Sequence, residues 1–317
     1  VLTVRPNVRS TTPGAFNLAS GAQPSPGYRL RCLRGQGGFA EVWEAESPTG
    51  PPVALKFMPT SNTNSTAREL RSVQSFQSLE HPYIVKTYGM WSVPGYIVIN
   101  MELAEATLLD LMSLYHNDLG QPLEPATLCL YLWQVAQALD FLNARRHLRD
   151  GRKVGFQHGD VKPNNILLFG DVAKLTDHGL ATVTYGPTTP CSRQGTREYC
   201  APEVTLGSLS DWSDQYSLAV TYYALRTGTF PFPPPPTPND MSMTRSYLRP
   251  TADLSRVTEP ERAPLARALA HVPTNRFPSC NDFMAALLQS LGLRVETDPP
   301  PVRVVADEPP KSNLRIR

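Results

Sequence analysis

His158-Gly159-Asp160-Val161-Lys162-Pro163-Asn164-Asn165-Ile166-Leu167-Leu168 is the stretch whose reading constrains this 317-residue chain most. Asp160 is able to accept the proton of an incoming hydroxyl, and Lys162, two residues on, to neutralise a migrating phosphoryl group. Asn165 offers an amide oxygen to Mg²⁺, a hard cation that prefers oxygen. The apolar run 166–168 then reads as a strand beneath these side chains. A plain polar turn before a strand would leave the joint spacing of Asp, Lys and Asn without a reason.

Working outward, Asp177-His178-Gly179 comes twelve residues after Asn165 and follows the strand-like run 173–176. A carboxylate at a strand end before Gly suits a metal that bridges phosphates, although Asp-x-Gly alone is more often an ordinary turn. Upstream, Gly35-Gln36-Gly37-Gly38-Phe39-Ala40-Glu41-Val42 lies between two predicted strands. Glycines there let backbone approach phosphate oxygens closely. Taken by itself the segment is more often a plain hairpin turn. It is neither a dinucleotide fingerprint, since a strand follows it, nor a Walker A loop, since no Lys-Ser/Thr closes it. Lys56 ends Val53-Ala54-Leu55-Lys56, where a buried ammonium is costly unless paired. Glu69, on a predicted helix 67–79 with apolar Leu70, Val73, Phe76 and Leu79, is its expected partner; the plainer alternative is two solvated charges.

The wider pattern changes once along the chain. Runs 28–33, 40–45, 53–58 and 96–101 read as strands. After Thr107 helices dominate, at 125–143, 213–225, 263–269 and 281–291. A strand-rich front and a helix-rich back imply two unlike lobes joined near 102–106. Residues 1–26 read as a flexible arm and 294–317 as a Pro-rich tail, both linker-like in composition. The core domain is 27–293, with an N-lobe of about 27–103 and a C-lobe of about 107–293. Within it, 230–238 contains four consecutive prolines and reads as a polyproline II spacer.

Net charge is +2, with 41% apolar and 18% charged residues. This gives no electrostatic case for nucleic acid or an anionic membrane. The five cysteines are scattered without a CxxC, and the histidines show no metal-ligand spacing, which argues against a disulfide framework or a zinc site. The apolar stretch 128–144 contains Gln134, Gln137 and Asp140 and reads as an amphipathic helix, not a membrane span. A cytoplasmic setting is expected, either for the chain itself or as the cytoplasmic part of a longer anchored protein.

In this order, the Gly-rich loop, VALK, a helix Glu, HGDVKPNN, DHG and Ala201-Pro202-Glu203 resemble the eukaryotic-type protein kinases over about residues 28–291. The wording of GQGGFAEVW, HGDVKPNNILL and SDQYSLA looks most like bacterial members. The resemblance implies an α+β bilobal fold, with a small antiparallel sheet and one main helix in the N-lobe and a larger, mainly helical C-lobe. It implies ATP with Mg²⁺ or Mn²⁺, Asp160 as catalytic base, Lys162 on the γ-phosphate, and Asn165 and Asp177 as metal ligands. Gly35, Gly37, Gly38, Lys56 and Glu69 would serve the phosphates. Met101 would guard the back of the adenine pocket, the backbone of Glu102 to Ala104 would bond the adenine, and Val42, Ala54 and Leu167 would sandwich it. Thr196 would bond Asp160 and Lys162, Glu203 would pair with Arg276, and Asp214 would brace the catalytic loop.

Lys162 and Thr196 at these places resemble Ser/Thr kinases rather than tyrosine kinases. The expected partner is therefore a protein carrying Ser or Thr, with self-association for autophosphorylation as a further expectation. A pseudokinase-type scaffold is the alternative, but such proteins typically lose Lys56, Asp160 or Asp177 equivalents. A small-molecule kinase on the same fold fits the intact 195–203 segment less well.

Several departures bear on mechanism. Ala40 stands for the loop's third glycine, a small intrusion. Gly159 stands where many members carry the Arg that reads a phosphate on the activation segment, so basal activity is expected not to need that phosphate. Thr182, Thr184, Thr188, Thr189 and Ser192 are candidate autophosphorylation positions. His178 replaces the usual Phe and is expected to pack near Val73. The basic insertion 145–157 is read as a solvated loop, with docking as its functional alternative.

Overall fold

The structure is a computed structural model and describes residues 15–37, 40–61, 79–149, 151–191, 195–233 and 249–294. Short strands broken by Gly and Pro build the N-lobe: β1 (Arg29–Gln36), β2 (Glu41–Glu46), β3 (Val53–Pro59), β4 (Thr87–Val93) and β5 (Tyr96–Glu102). They form one antiparallel sheet in the order β1-β2-β3-β5-β4. The strand period of two divides the side chains of β3 between its faces. Leu55 and Phe57 enter an outer cluster with Trp43, Ala45 and Val98. Ala54 joins Val85 and Met101 on the inner face, and Lys56 shares that face. β4 is the strand that periodicity does not reveal, because Gly89 interrupts its alternation and a register shift falls between Thr87 and Gly89.

Residues 15–26 correct the expectation of a flexible arm, since this stretch packs on the sheet. Phe16 N donates to Pro94 O at 2.7 Å, Gly21 N to Leu30 O at 2.8 Å and Leu30 N to Ala22 O at 2.9 Å. Leu18 is buried in the outer cluster, and the Phe16 ring stacks on Phe57 at 6.3 Å. Two apolar side chains covering otherwise wet sheet surface supply the driving force. The expected helix 67–79, the proline run from 234 and the tail from 295 lie wholly or almost wholly outside the described residues.

The chain enters the C-lobe through β6 (Ala106–Thr107) and α1 (Leu108–Ser113), whose start is fixed by a capping box between Thr107 and Asp110. α2 (Pro125–Asn143) then runs through the lobe. Its polar residues do not form the solvated face that an amphipathic helix would show. Gln134 is buried, donating to Asp171 O at 3.1 Å and accepting from Ala173 N at 2.6 Å. Asp140 accepts from Cys280 N and Asn281 N, each at 2.9 Å, at the start of the last described helix.

The insertion 145–157 also differs from its expected form. It is a β-hairpin of β7 (His147–Arg149) and β8 (Arg152–Gln157). Buried Val154 and Phe156 anchor it, and Arg145 Nη2 meets Asp211 Oδ1 at 2.6 Å. Arg149, Arg152 and Lys153 at the turn are exposed, as is Arg146, whose guanidinium lies 4.9 Å from the Phe141 ring centre.

Beyond it lie β9 (Ile166–Phe169), β10 (Val172–Leu175), β11 (Thr182–Thr184), β12 (Thr188–Pro190), α3 (Pro202–Thr205), β13 (Ser208–Ser210), α4 (Ser213–Thr227), α5 (Glu259–Ala268) and α6 (Cys280–Ser290). α4 is buried from Ser213 to Leu225. A helix buried on all sides must satisfy its polar groups internally, and these groups tie distant segments to it. Gln215 Nε2 donates to Phe277 O and Ser279 O at 2.9 and 2.8 Å, and Ser217 Oγ to Tyr199 O at 3.0 Å. No helix among the described residues is long and apolar enough to cross a membrane.

Candidate active site

The loop between β8 and β9 is held from below by α4. Asp214 accepts from His158 N at 2.6 Å and from Gly159 N at 2.9 Å. Burial pushes its carboxyl up from the ordinary range, against the opposing effect of these donors. Gly159 adopts φ +78°, where a side chain is strained, and a Cβ would lie 3.2 Å from Leu180 O. Backbone shape therefore favours glycine at this position.

The loop's polar side chains converge. Lys162 Nζ lies 2.7 Å from Asp160 Oδ2 and donates to Thr196 Oγ1 at 2.6 Å. Thr196 Oγ1 and its backbone N donate to Asp160 Oδ1 at 2.8 and 3.0 Å. Asn165 Nδ2 donates to Asp160 O at 2.8 Å and to Asp160 Oδ2 at 3.0 Å. Thr196 reaches the loop because Gly195, at φ +98°, passes where a Cβ would sit 2.7 Å from Gly159 O and 2.9 Å from Cys200 Sγ.

From the other lobe, Lys56 Nζ meets Asp177 Oδ1 at 3.2 Å. Asp177 is the only non-glycine residue with positive φ, at 61°, among those described. Such a conformation is uncommon outside Gly and Asn/Asp and clusters at functional sites. Glu69 and Gly38 lie outside the described residues, as does the side chain of His178.

These groups surround one cleft of about 760 Å³ between the lobes. Lys56, Asp160, Lys162, Asn165, Asp177 and Thr196 all line it. Gly35, Gly37 and Val42 form part of its roof, Ala54 and Met101 its back, and Leu167 its floor. The connector Glu102–Ala104 runs along its edge. Glu102 is anchored through its carboxylate to Lys174 Nζ at 2.6 and 2.8 Å and to Lys86 N at 2.7 Å. The reading from sequence did not single out Val85, Leu103 or Arg34. Val85 and Leu103 extend the apolar lining, and only the folded sheet shows it.

Both Asn165 N–H bonds go to Asp160, which turns its amide oxygen the other way, and Asp177 contributes a carboxylate. Two hard oxygen donors fit a divalent cation that takes its remaining ligands from phosphate and water. Among the described residues no cluster of three or more His, Cys, Asp or Glu is arranged to hold a metal.

A sheet lobe with lysine in its inner face, set over a helical lobe with Asp, Lys and Asn at one loop, defines the two-lobed kinase class. The chain belongs to the protein kinase domain family, which it matches over residues 28–291. It is 33% identical over 283 residues to serine/threonine-protein kinase PknF of Mycobacterium tuberculosis, covering 84% of this chain and 56% of that protein. It is 30% identical over 286 residues to serine/threonine-protein kinase PknE of Mycobacterium bovis, covering 86% and 47%. The figures for serine/threonine-protein kinase PknH of Mycobacterium bovis are 30% over 277 residues, 83% and 44%. The chain spans about half the length of the curated relatives it matches. Membership implies ATP and divalent-metal use in general terms.

Proposed function

We propose that the chain transfers the γ-phosphoryl group of ATP to Ser or Thr hydroxyls of a protein substrate. The observation that carries this reading is the meeting of Lys56, Asp160, Lys162, Asn165 and Asp177 at one cleft. Asp160 acts as base toward the hydroxyl, and Asn165 and Thr196 hold its carboxylate in place. Lys162 balances charge on the migrating group, and Lys56 holds the α- and β-phosphates. Mg²⁺, or Mn²⁺, held by Asn165 and Asp177 would neutralise phosphate charge. Val42, Ala54, Leu167 and Met101 enclose the adenine, while the backbone of Glu102 and Ala104 bonds its edge. The contacts of Lys162 with Thr196, together with the relatives' names, support Ser/Thr over Tyr as acceptor.

Asp160→Ala tests the assignment. It is expected to lower kcat by about 10²–10⁴-fold, the usual worth of a general base, while Mg·ATP still raises the melting temperature. Wild-type turnover in that variant would refute Asp160 as base. Nucleotide binding without any transfer by the wild-type chain would instead favour a non-catalytic scaffold.

Basal activity independent of activation-segment phosphorylation is part of the same proposal. β11 pairs with β8, and β12 with β13. Arg249 donates to the carbonyls of Arg197 and Glu198. These protein contacts support an ordered arrangement of 182–190 and 197–198 without a phosphate. A phosphatase-treated sample should keep most of its rate, and near-complete loss would overturn this part.

A further inference from the structure

Arg34 stands on β1 immediately before Gly35, and nothing in the roles above uses it. Its Nη2 donates to Glu105 O at 2.8 Å and to Ala104 O at 3.4 Å, both on the connector between the lobes. Its Nη1 lies 3.7 Å from Glu44 Oε2 on β2. Glu44 is further held by Arg31 Nη1 at 3.3 Å and Cys32 Sγ at 3.8 Å. One end of the planar fork is thus seated against a carboxylate of the roof, and the other reaches across to backbone carbonyls. Arg34 lines the cleft, yet its side chain is 39% exposed, and exposed Glu105 also lines the cleft. The bridge therefore lies where the cleft opens to solvent.

We propose that Arg34 gates nucleotide exchange. With the bridge made, the Gly-rich strand is tied to the connector across the mouth, and a ring entering or leaving between Val42 and Leu167 must displace the guanidinium. The proposal rests on the reading of this cleft as the ATP site. The chemistry suits a gate better than a structural bolt. Water competes for every exposed partner, so the bridge is weak enough to open thermally, and its loss should not unfold the sheet. A gate present with or without ligand raises the barrier in both directions. It therefore alters rates more than affinity.

The test is stopped-flow binding of Mg·ADP carrying a fluorescent group on its ribose, followed by a chase with unlabelled Mg·ADP. The whole chain is compared with Arg34→Leu and Arg262→Leu. Arg262 lies on α5, is exposed and pairs with Glu259 at 2.6 Å, so it controls for lost surface charge without touching Glu44. Arg34→Leu is expected to raise the association and dissociation rates together, by about 3–10-fold, with a smaller change in Kd. Arg262→Leu should leave both rates in place. Unchanged rates in Arg34→Leu, an equal shift in Arg262→Leu, or a change confined to dissociation would each overturn the gate. Failure of the wild-type chain to bind the nucleotide at all would sink the reading of the cleft as an ATP site instead.

Discussion

Two ion pairs of similar length behave differently in this molecule. Arg276 grips Glu203 with both arms of its fork, Nη1 to Oε1 and Nη2 to Oε2, each at 2.8 Å. Ser210 and Ser213 hydroxyls also donate to Glu203 at 2.8 Å. The Arg276 Nε reaches Ala270 O at 2.9 Å, and the guanidinium lies 4.9 Å from the Tyr216 ring centre. The two side chains are 0% and 12% exposed. Lys56 and Asp177 meet at 3.2 Å with side chains 13% and 41% exposed, across the gap between the lobes. The first pair is surrounded by fixed partners and fastens the end of the activation segment to the C-lobe. The second opens onto the cleft, where on the proposed function phosphates and a metal would compete for both charges. Burial, not the contact distance, separates a rivet from a working contact.

The contrast is broken most severely at the rivet. Arg276→Ala leaves the Glu203 carboxylate buried without its cation and is expected to cost about 3–5 kcal/mol of stability, read as a large fall in melting temperature. An unchanged melting temperature would mean that the pair contributes nothing. Lys56→Met should show the reverse pattern. On the proposed function, loss of one positioned charge at the α- and β-phosphates is expected to lower the phosphotransfer rate by about 10²–10³-fold. For a half-exposed pair the stability change should stay within about 1 kcal/mol. A large fall in melting temperature would place Lys56 with the structural pair.

Acid sharpens the comparison with a smaller effect. Burial alone would raise the Glu203 carboxyl, but the hydrogen bonds and charge of Arg276 carry it below its ordinary 4.5. A carboxylate lowered on folding binds fewer protons in the folded state. Its contribution is therefore fully present above about pH 4.5 and is lost as pH falls through the lower folded value. Replacing both partners by apolar residues, as Glu203→Leu with Arg276→Met, should flatten stability against pH in that window. Equal acid slopes for the two proteins would contradict the assignment.

Much of the site was legible in one segment. Asp160, Lys162 and Asn165 lie within six residues, so local backbone alone keeps them close, and their chemistry shows in residue type. The strands around Val42, Ala54 and Met101 were legible for a similar reason, since alternation survives in short runs. Gln134 and Asp140 looked like the wet side of a helix because a polar letter does not reveal whether its partner is water or a buried N–H. The hairpin at 145–157 looked like loop because its basic residues crowd the turn, while the deciding contacts, Phe156 in the core and Arg145 on Asp211, are nonlocal. Arg34 carried no signal at all, since an arginine on an edge strand is ordinary surface composition.

The sequence by itself determined the two-lobed plan and the set of polar residues, Lys56, Asp160, Lys162, Asn165 and Asp177, that lines the cleft. Those features depend on residue chemistry and on periods of two and 3.6, which are local. Only the tertiary structure decided that Lys56 meets Asp177, that Arg34 spans the mouth of the cleft, and that the pair of Glu203 with Arg276, expected from the resemblance, is sealed from water. Each of these is a contact between residues 70 or more positions apart. Such contacts are fixed by how the sheet packs over the helices, and no short window of the chain carries that information.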